Sequence, residues 1–224
     1  MQRSLINVLK AADYVSLINA IFGFLSILMV FLEEFYYAFV FILIGILVDG
    51  LDGIVSRKYG SSKAGCYFDS ISDTITMGVA VSVFMFGIYF NDFSDEIFYK
   101  ILFILLILFF LSCNIIRLST FEIFKEKKIF KGLPAPASAI LLVTISYLNI
   151  DINVVMIFLF IISILMITNV CFIKPNIKID VITAILIILT IFIGKNFNNI
   201  MLWVLLISII IYIILSPIFC MKIK

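Results

Sequence analysis

The stretch VDGLDGIVSRKYGSSKAGCYFDSISD, residues 48–73, decides the fold of this chain. Its four aspartates, Asp49, Asp52, Asp69 and Asp73, lie at the ends of two apolar segments. The whole chain is 64% hydrophobic and 13% charged, whereas soluble domains carry about a quarter charged residues. Apolar runs of about 20 residues, the length needed to cross a bilayer, recur along the chain. We therefore predict an all-α, polytopic integral membrane protein.

The apolar runs on either side of this stretch predict about eight transmembrane helices, in a single domain over residues 14–224. The predicted spans are 14–32, 35–56, 68–90, 97–119, 134–149, 152–173, 179–194 and 199–219. Before the first span, four apolar residues share one helical face: Leu5, Val8, Leu9 and Ala12. This pattern predicts a short amphipathic helix in residues 1–13 that lies in the membrane surface, with a frayed tail as the alternative.

The basic residues predict the orientation in the membrane. With the N-terminus placed in the cytoplasm, fourteen of the 16 lysines and arginines fall on the cytoplasmic side, and only Lys100 and Lys195 fall outside. Positively charged loops are retained in the cytoplasm during insertion. We therefore expect both termini and the 48–73 stretch to face the cytoplasm from the cell membrane. Nothing in the sequence predicts a nucleic-acid partner.

The spacing of the four aspartates predicts a metal site. Asp49 and Asp52 are three residues apart, and Asp69 and Asp73 are four apart, so each pair shares a helical face. The short loop between the two helices makes them antiparallel neighbours, so the acidic faces can meet. Unpaired acids in a membrane are costly, and a divalent cation would offset that cost. The alternative is that they only cap helices and solvate a loop.

Residue types restrict the metal. The chain has no histidine, and its four cysteines, Cys66, Cys113, Cys171 and Cys220, show no paired spacing. Oxygen ligands alone favour Mg²⁺, Mn²⁺ or Ca²⁺ over zinc or copper. Small residues accompany the acids, at Gly50, Gly53, Ser56 and Gly65. They allow either close helix packing or a flat ligand against the helix, and the sequence leaves both open.

These residues resemble the signature of the CDP-alcohol phosphotransferase family, DxxDGxxAR followed by GxxxDxxxD. Every specified position matches except Ser56, where alanine is usual. The resemblance implies an enzyme that transfers a phosphatidyl-type group from a CDP-linked lipid to an alcohol and releases CMP. It also implies a homodimer. In this sequence Asp49, Asp52, Asp69 and Asp73 would be the metal ligands. The CDP-binding residues would be Gly53, Ser56, Arg57 and Gly65.

Asp73 is the expected general base, in addition to its place among the ligands. With no histidine in the chain, an aspartate beside the cation is the natural acceptor for the proton of the attacking hydroxyl. Metal ions would neutralise the diphosphate and the departing CMP. No separate nucleophile stands out, so we expect direct transfer without a covalent enzyme intermediate.

Two further stretches resemble the phosphatidylserine synthase branch: ADYVSLIN at residues 12–19, leading into Gly23, and FKGLPAPA at residues 130–137. Without the resemblance, the second stretch is equally consistent with an ordinary loop-to-helix junction. The branch implies CDP-diacylglycerol, or an ether-lipid analogue, and L-serine as substrates, with Mn²⁺ or Mg²⁺. The resemblance covers residues 12 to about 139.

A serine acceptor would bring a carboxylate, for which Arg117 and Lys131 are the best-placed cations. Their alternative role is positive-inside anchoring at helix ends. Asn19 is a weaker candidate for the CDP site. The competing functions are the same chemistry on glycerol 3-phosphate or inositol phosphate, a cation transporter, and a non-catalytic lipid-binding scaffold. A transporter would need acids throughout the membrane thickness, whereas these cluster at one end.

Overall fold

A computed structural model describes residues 9–60, 62, 64–90, 97–121, 123–124, 129–194 and 199–221. The elements, in chain order, are α1 Ala11–Phe31, α2 Phe35–Tyr59, α3 Gly65–Asp73, a π-helix Thr74–Ala80, α4 Val81–Tyr89, α5 Ile97–Thr120, β1 Ile129–Lys131, α6 Ala135–Tyr147, α7 Ile152–Ile167, β2 Cys171–Ile173, α8 Ile177–Ile193 and α9 Ile200–Met221. The helix α3, the π-helix and α4 form one uninterrupted rod.

The helices confirm an all-α integral membrane protein. Within the described residues, five helical segments are long and apolar enough to cross a membrane: Ala11–Phe31, Phe35–Gly53, Gly65–Tyr89, Ile97–Thr120 and Ile200–Met221. The helices α6 and α7 are apolar but shorter. The predicted total of eight crossings stays a prediction.

The short helix α6 is the centre of the bundle. From Ala137 to Ser146 every side chain is buried, and a helix that is apolar on all sides is typical of such a position. Leu142 of α6, Phe39 of α2 and Phe84 of α4 belong to one continuous core. Both α1 and α5 contact the rod that carries Asp69 and Asp73.

A two-stranded antiparallel sheet corrects the sixth predicted span, 152–173. The helix α7 ends at Ile167, because Thr168 is extended and begins the turn into β2. β1 pairs with β2 in the register Ile129↔Ile173, Phe130↔Phe172 and Lys131↔Cys171. Apolar periodicity could not reveal this break, since the strand residues are as hydrophobic as the helix before them.

Gly132 makes the turn from the sheet into α6. Its φ of +77° favours glycine, and an added Cβ would lie 2.3 Å from the carbonyl oxygen of Met166. Its backbone N–H donates to the carbonyl of Val170 (2.8 Å), and that of Leu133 donates to Leu165 (2.9 Å). Pro134 then occupies the N-cap of α6. The GLPAPA stretch is therefore a structural junction between the sheet and the central helix.

The predicted amphipathic helix over residues 1–13 falls mainly on residues 1–8, which lie outside the described residues. The first described helix, α1, begins at Ala11, three residues before the predicted start of the membrane domain. Asp13 stabilises this beginning, because its Oδ2 accepts a hydrogen bond from the backbone N–H of Lys10 (2.7 Å).

Candidate active site

Three of the four signature aspartates meet between the C-terminal half of α2 and the short helix α3. Asp49, Asp69 and Asp73 each offer a carboxylate oxygen, and these oxygens all lie within 4.8 Å of one another. Asp73 is buried, and the other two are half-buried. The antiparallel pairing predicted from the short loop therefore brings the two acidic faces together.

Asp52 lies at the edge of this cluster. One turn after Asp49, its Oδ2 accepts a hydrogen bond from the hydroxyl of Ser16 on α1 (3.0 Å), and its carboxylate lies beside that of Asp69. Asp49 is placed similarly beside Asp73. The structure thus places three predicted ligands in one group and the fourth next to it, fastened to α1.

Asn19 contacts the predicted base. Its side-chain amide donates a hydrogen bond to Oδ1 of Asp73 (2.9 Å), and both residues are buried. The Thr76 hydroxyl in turn donates to the backbone carbonyl of Asn19 (2.9 Å). This close approach of α1 to the π-helix depends on Gly23, where an added Cβ would lie 2.8 Å from Cα of Thr76. The contact with Asp73 is not the CDP contact predicted for Asn19, which stays untested.

The π-helix starts immediately after Asp73, at Thr74. Segments of this kind are uncommon, and they occur frequently at functional sites because they change which way side chains point within one turn. Here the segment carries Thr76, which anchors Asn19. This π-helix was not predicted from the sequence, because no sequence pattern separates a π-turn from an α-turn.

The predicted CDP-binding residues lie along α2 and at the start of α3. Gly53 and Ser56 are half-buried, and the Ser56 hydroxyl bonds the Gly53 carbonyl within α2 (3.2 Å). Gly65 is the first residue of α3, and the side chain of Arg57 lies outside the described residues. Beside the acids, a Cβ at Gly50 would meet no atom within 4 Å. This open face has room for a flat ligand, the second alternative left open by the glycines.

A separate cavity contains both predicted acceptor-binding cations. It is a small, partly open cavity lined by Arg117, Thr120, Phe121, Phe124, Ile129, Phe130 and Lys131. The guanidinium carbon of Arg117 lies 5.1 Å from the ring centre of Phe121 and 5.8 Å from that of Phe130. The ammonium of Lys131 lies 5.3 Å from the ring centre of Phe124. Such contacts hold a cation in place without neutralising it.

Arg117 links this cavity to the acidic cluster. Its side chain is only 7% exposed, and its Nε makes no hydrogen bond to any described residue. The guanidinium also interacts electrostatically with Asp73. A buried cation with an unsatisfied donor nitrogen is suited to bind an anionic group.

Tyr212 on α9 is a residue that the sequence analysis missed. Its side chain lies close enough to Arg117 for an electrostatic interaction, and its hydroxyl donates to the carbonyl of Ile173 (3.2 Å). In the sequence it stands in an apolar run like many others, far from any signature residue. Only the tertiary structure brings α9 to the cavity.

Sequence comparison with known proteins identifies the family of this chain. The sequence model that describes the CDP-alcohol phosphatidyltransferase family matches residues 9–214. The chain belongs to this family. The match includes the acidic cluster, the cavity and Tyr212, so both groups of residues lie in the part of the chain that the family shares. Because this is a family of enzymes, its match favours an enzyme over a cation transporter or a non-catalytic scaffold.

The names of several curated relatives of this chain specify serine as the acceptor or archaetidylserine as the product. The chain is 34% identical over 175 residues to a CDP-diacylglycerol–serine O-phosphatidyltransferase of Methanocaldococcus jannaschii, covering 77% of this chain and 79% of the relative. It is 34% identical over 132 residues to an archaetidylserine synthase of Methanothermobacter thermautotrophicus (57% and 54%). A serine O-phosphatidyltransferase of Bacillus subtilis is 32% identical over 133 residues (58% and 71%).

The donor set of this family member suits a divalent cation. Members of the family use a divalent metal, and the three clustered carboxylates offer the hard oxygen ligands that such ions prefer. The carboxylates come from two helices, Asp49 from α2 and Asp69 and Asp73 from α3, so both helices would hold the ion. The residues present therefore fit the group that the family uses.

Proposed function

We propose that the protein transfers the phosphatidyl or archaetidyl group of CDP-diacylglycerol, or of its ether-lipid analogue, to the hydroxyl of L-serine. The products are phosphatidylserine, or its archaetidyl analogue, and CMP. The observation that carries the proposal is the buried Arg117, which lies in a small cationic cavity and interacts with Asp73. The serine-specific names of the relatives support the same acceptor.

Asp73 acts as the general base in this reaction. Its Oδ1 is held by Asn19, which orients the carboxylate. The serine hydroxyl gives its proton to Asp73 as its oxygen bonds to the phosphorus of the phosphatidyl group. The bond from that phosphorus to the oxygen it shares with CMP breaks, and CMP leaves with the electron pair. No covalent enzyme intermediate is formed.

Asp49, Asp69 and Asp73, with Asp52 beside Asp69, would hold the divalent cation, for which we propose Mn²⁺ or Mg²⁺. When bound, the cation supplies neutralisation of the diphosphate and of the leaving CMP. Gly53, Ser56, Arg57 and Gly65 line the CDP site. Asn19 lies in the same region, and its main role is to orient Asp73 through their hydrogen bond.

Arg117 binds the carboxylate of serine, and Lys131 contributes positive charge at the other side of the cavity. Glycerol 3-phosphate and inositol phosphate are the alternative acceptors. They would place a dianionic phosphate in the same cavity, so the acceptor has to be tested directly.

The active site faces the cytoplasm, with both termini on that side of the cell membrane, and the protein acts as a homodimer. The distribution of the basic residues supports this orientation. The family resemblance supports the dimer. Cysteine labelling from either side of sealed vesicles tests the orientation, because the exposed Cys66 lies next to Gly65 at the start of α3.

The experiment that tests the function uses the purified protein in detergent with CDP-diacylglycerol and Mn²⁺. Release of CMP is followed with L-serine, glycerol 3-phosphate or inositol phosphate offered separately. We expect release with serine alone, abolished by EDTA. Release only with a phosphorylated acceptor would retain the aspartate mechanism and refute the serine assignment. No release with any of them would refute the proposed reaction.

A further inference from the structure

The outer edge of β2 is held by two side chains of α9. The backbone N–H of Ile173 donates to the Ser216 hydroxyl (2.6 Å), and the Ile173 carbonyl accepts from the Tyr212 hydroxyl (3.2 Å). Tyr212 and Ser216 are four residues apart, so they project from one face of the helix. Since β1 pairs with the inner edge of β2, the two hydroxyls take the place of a third strand.

This sheet forms one wall of the acceptor cavity. Ile129, Phe130 and Lys131 are the three residues of β1, and all of them line the cavity. Phe130 stands opposite Phe172 of β2, which is fully buried. The ring centre of Phe172 lies 6.3 Å from that of Tyr212. A displacement of β2 would therefore reach β1, and with it the ring that contacts Arg117.

A second interaction links α9 to the cation Arg117. The side chain of Tyr212 interacts electrostatically with the guanidinium of Arg117. Tyr212 thus contacts the strand that supports the cavity wall, and it lies within electrostatic range of the cation expected to bind the acceptor. In the acidic cluster, by contrast, Asp52 and Asp73 accept hydrogen bonds from Ser16 and Asn19 of α1.

We propose that Tyr212 and Ser216 are positioning residues for acceptor binding. By fixing Ile173 they set the position of the β1 wall and of Arg117, and so control the affinity for the acceptor. They do not control the affinity for the CDP-lipid. This inference rests on the proposed function of the cavity, and it adds the last helix of the chain to the determinants of acceptor affinity.

The test measures steady-state kinetics of Tyr212→Phe, Ser216→Ala and the double variant in detergent, with L-serine and CDP-diacylglycerol varied in turn. Each hydroxyl bonds one backbone group of Ile173, and removing such a neutral hydrogen bond should raise the KM for serine about 3- to 10-fold per substitution. The KM for CDP-diacylglycerol should stay within about 2-fold. Ser216→Thr, which keeps the hydroxyl, should restore the serine KM.

Two matched controls separate positioning from general stability. Tyr89→Phe removes a tyrosine hydroxyl that also donates to a backbone carbonyl, that of Ile150 (2.9 Å), at the opposite end of the bundle. Ser208→Ala removes a hydroxyl from α9 that bonds only within its own helix. Both should leave the serine KM unchanged, whatever they do to the melting temperature.

The outcomes distinguish this inference from the proposed function. If Arg117→Ala raises the serine KM but Tyr212→Phe and Ser216→Ala do not, the positioning role is refuted while the serine site stands. Equal increases in both KM values, or increases in the two controls as well, would also refute it. If Arg117→Ala leaves the serine KM unchanged, the cavity is not the serine site, and the proposed function of the cavity fails first.

Discussion

The two halves of the active site are built differently. The acidic half is formed by α1, α2 and α3, which follow one another in the chain, and its residues lie between Asp13 and Thr76. The acceptor half is assembled from α5, β1, β2 and α9, which are widely separated in sequence. The half proposed to bind the metal and the CDP-linked substrate is a contiguous motif. The half proposed to select the acceptor is scattered.

This difference has a physical reason. Metal and diphosphate require several carboxylates at fixed spacing, which two helices joined by a short loop provide. A small acceptor requires a few cations and an enclosing wall, and helices from anywhere in the bundle can supply them. The comparison predicts that substitutions in the first half affect turnover, whereas those in the second affect acceptor KM.

The largest effect is expected for Asp73→Asn. This substitution removes the proton acceptor and one carboxylate of the cluster, so kcat should fall by about 10³-fold or more. The measurement is CMP release under saturating CDP-diacylglycerol, serine and Mn²⁺. Asp151→Asn is the matched control, since Asp151 caps α7 by accepting from the N–H of Asn153 and asparagine caps equally well. Full turnover of the Asp73 variant would refute its role as base.

Arg117→Ala should have the next largest effect. A hydrogen bond to a charged group contributes about 1.5–3 kcal/mol, so the serine KM should rise roughly 10- to 100-fold. The KM for CDP-diacylglycerol should change much less. Lys100→Ala is the control, because Lys100 is also a cation of α5 over a phenylalanine ring, that of Phe90 (5.7 Å). An unchanged serine KM in the Arg117 variant would refute the assignment of this cavity to the acceptor.

Gly132→Ala tests the junction that holds the cavity wall. The positive φ and the contact with Met166 make any side chain costly, and we expect a loss of about 1–3 kcal/mol in the free energy of unfolding. Because β1 ends directly before this turn, the serine KM should rise as well. Thermal unfolding in detergent and serine kinetics measure the two effects. A variant with wild-type stability would show that the junction tolerates a shift.

Gly50→Ala should have the smallest effect and separates the two interpretations of the glycines. No atom lies within 4 Å of the added Cβ, and alanine in place of glycine stabilises a helix by about 1 kcal/mol. If the nucleotide lies against this face, the melting temperature should rise slightly while the KM for CDP-diacylglycerol increases a few-fold. An unchanged KM would place the nucleotide elsewhere, and a lower melting temperature would indicate helix packing at this face.

The sequence predicted the helical membrane fold and most helix boundaries. For example, the predicted span 97–119 matches α5, Ile97–Thr120. It also predicted that the two pairs of aspartates would meet, since helical spacing and a short loop suffice for that. It was wrong about the end of the sixth span, where β2 replaces helix, because strand and helix residues in a membrane protein are equally apolar. Arg117 and Lys131 were paired by their charge, and the structure places them in one cavity.

What the sequence determined by itself is the chemistry that depends on local spacing: four carboxylates on two adjacent helices, in a chain too apolar to fold outside a membrane. The sequence does not reveal which distant residues contact these carboxylates and the acceptor cavity, because that depends on tertiary packing. Asn19 contacts Asp73 because glycine lets α1 approach the π-helix, and Tyr212 contacts Ile173 because α9 packs on the sheet. Such contacts depend on how helices pack, and apolar periodicity does not encode the neighbour of each face.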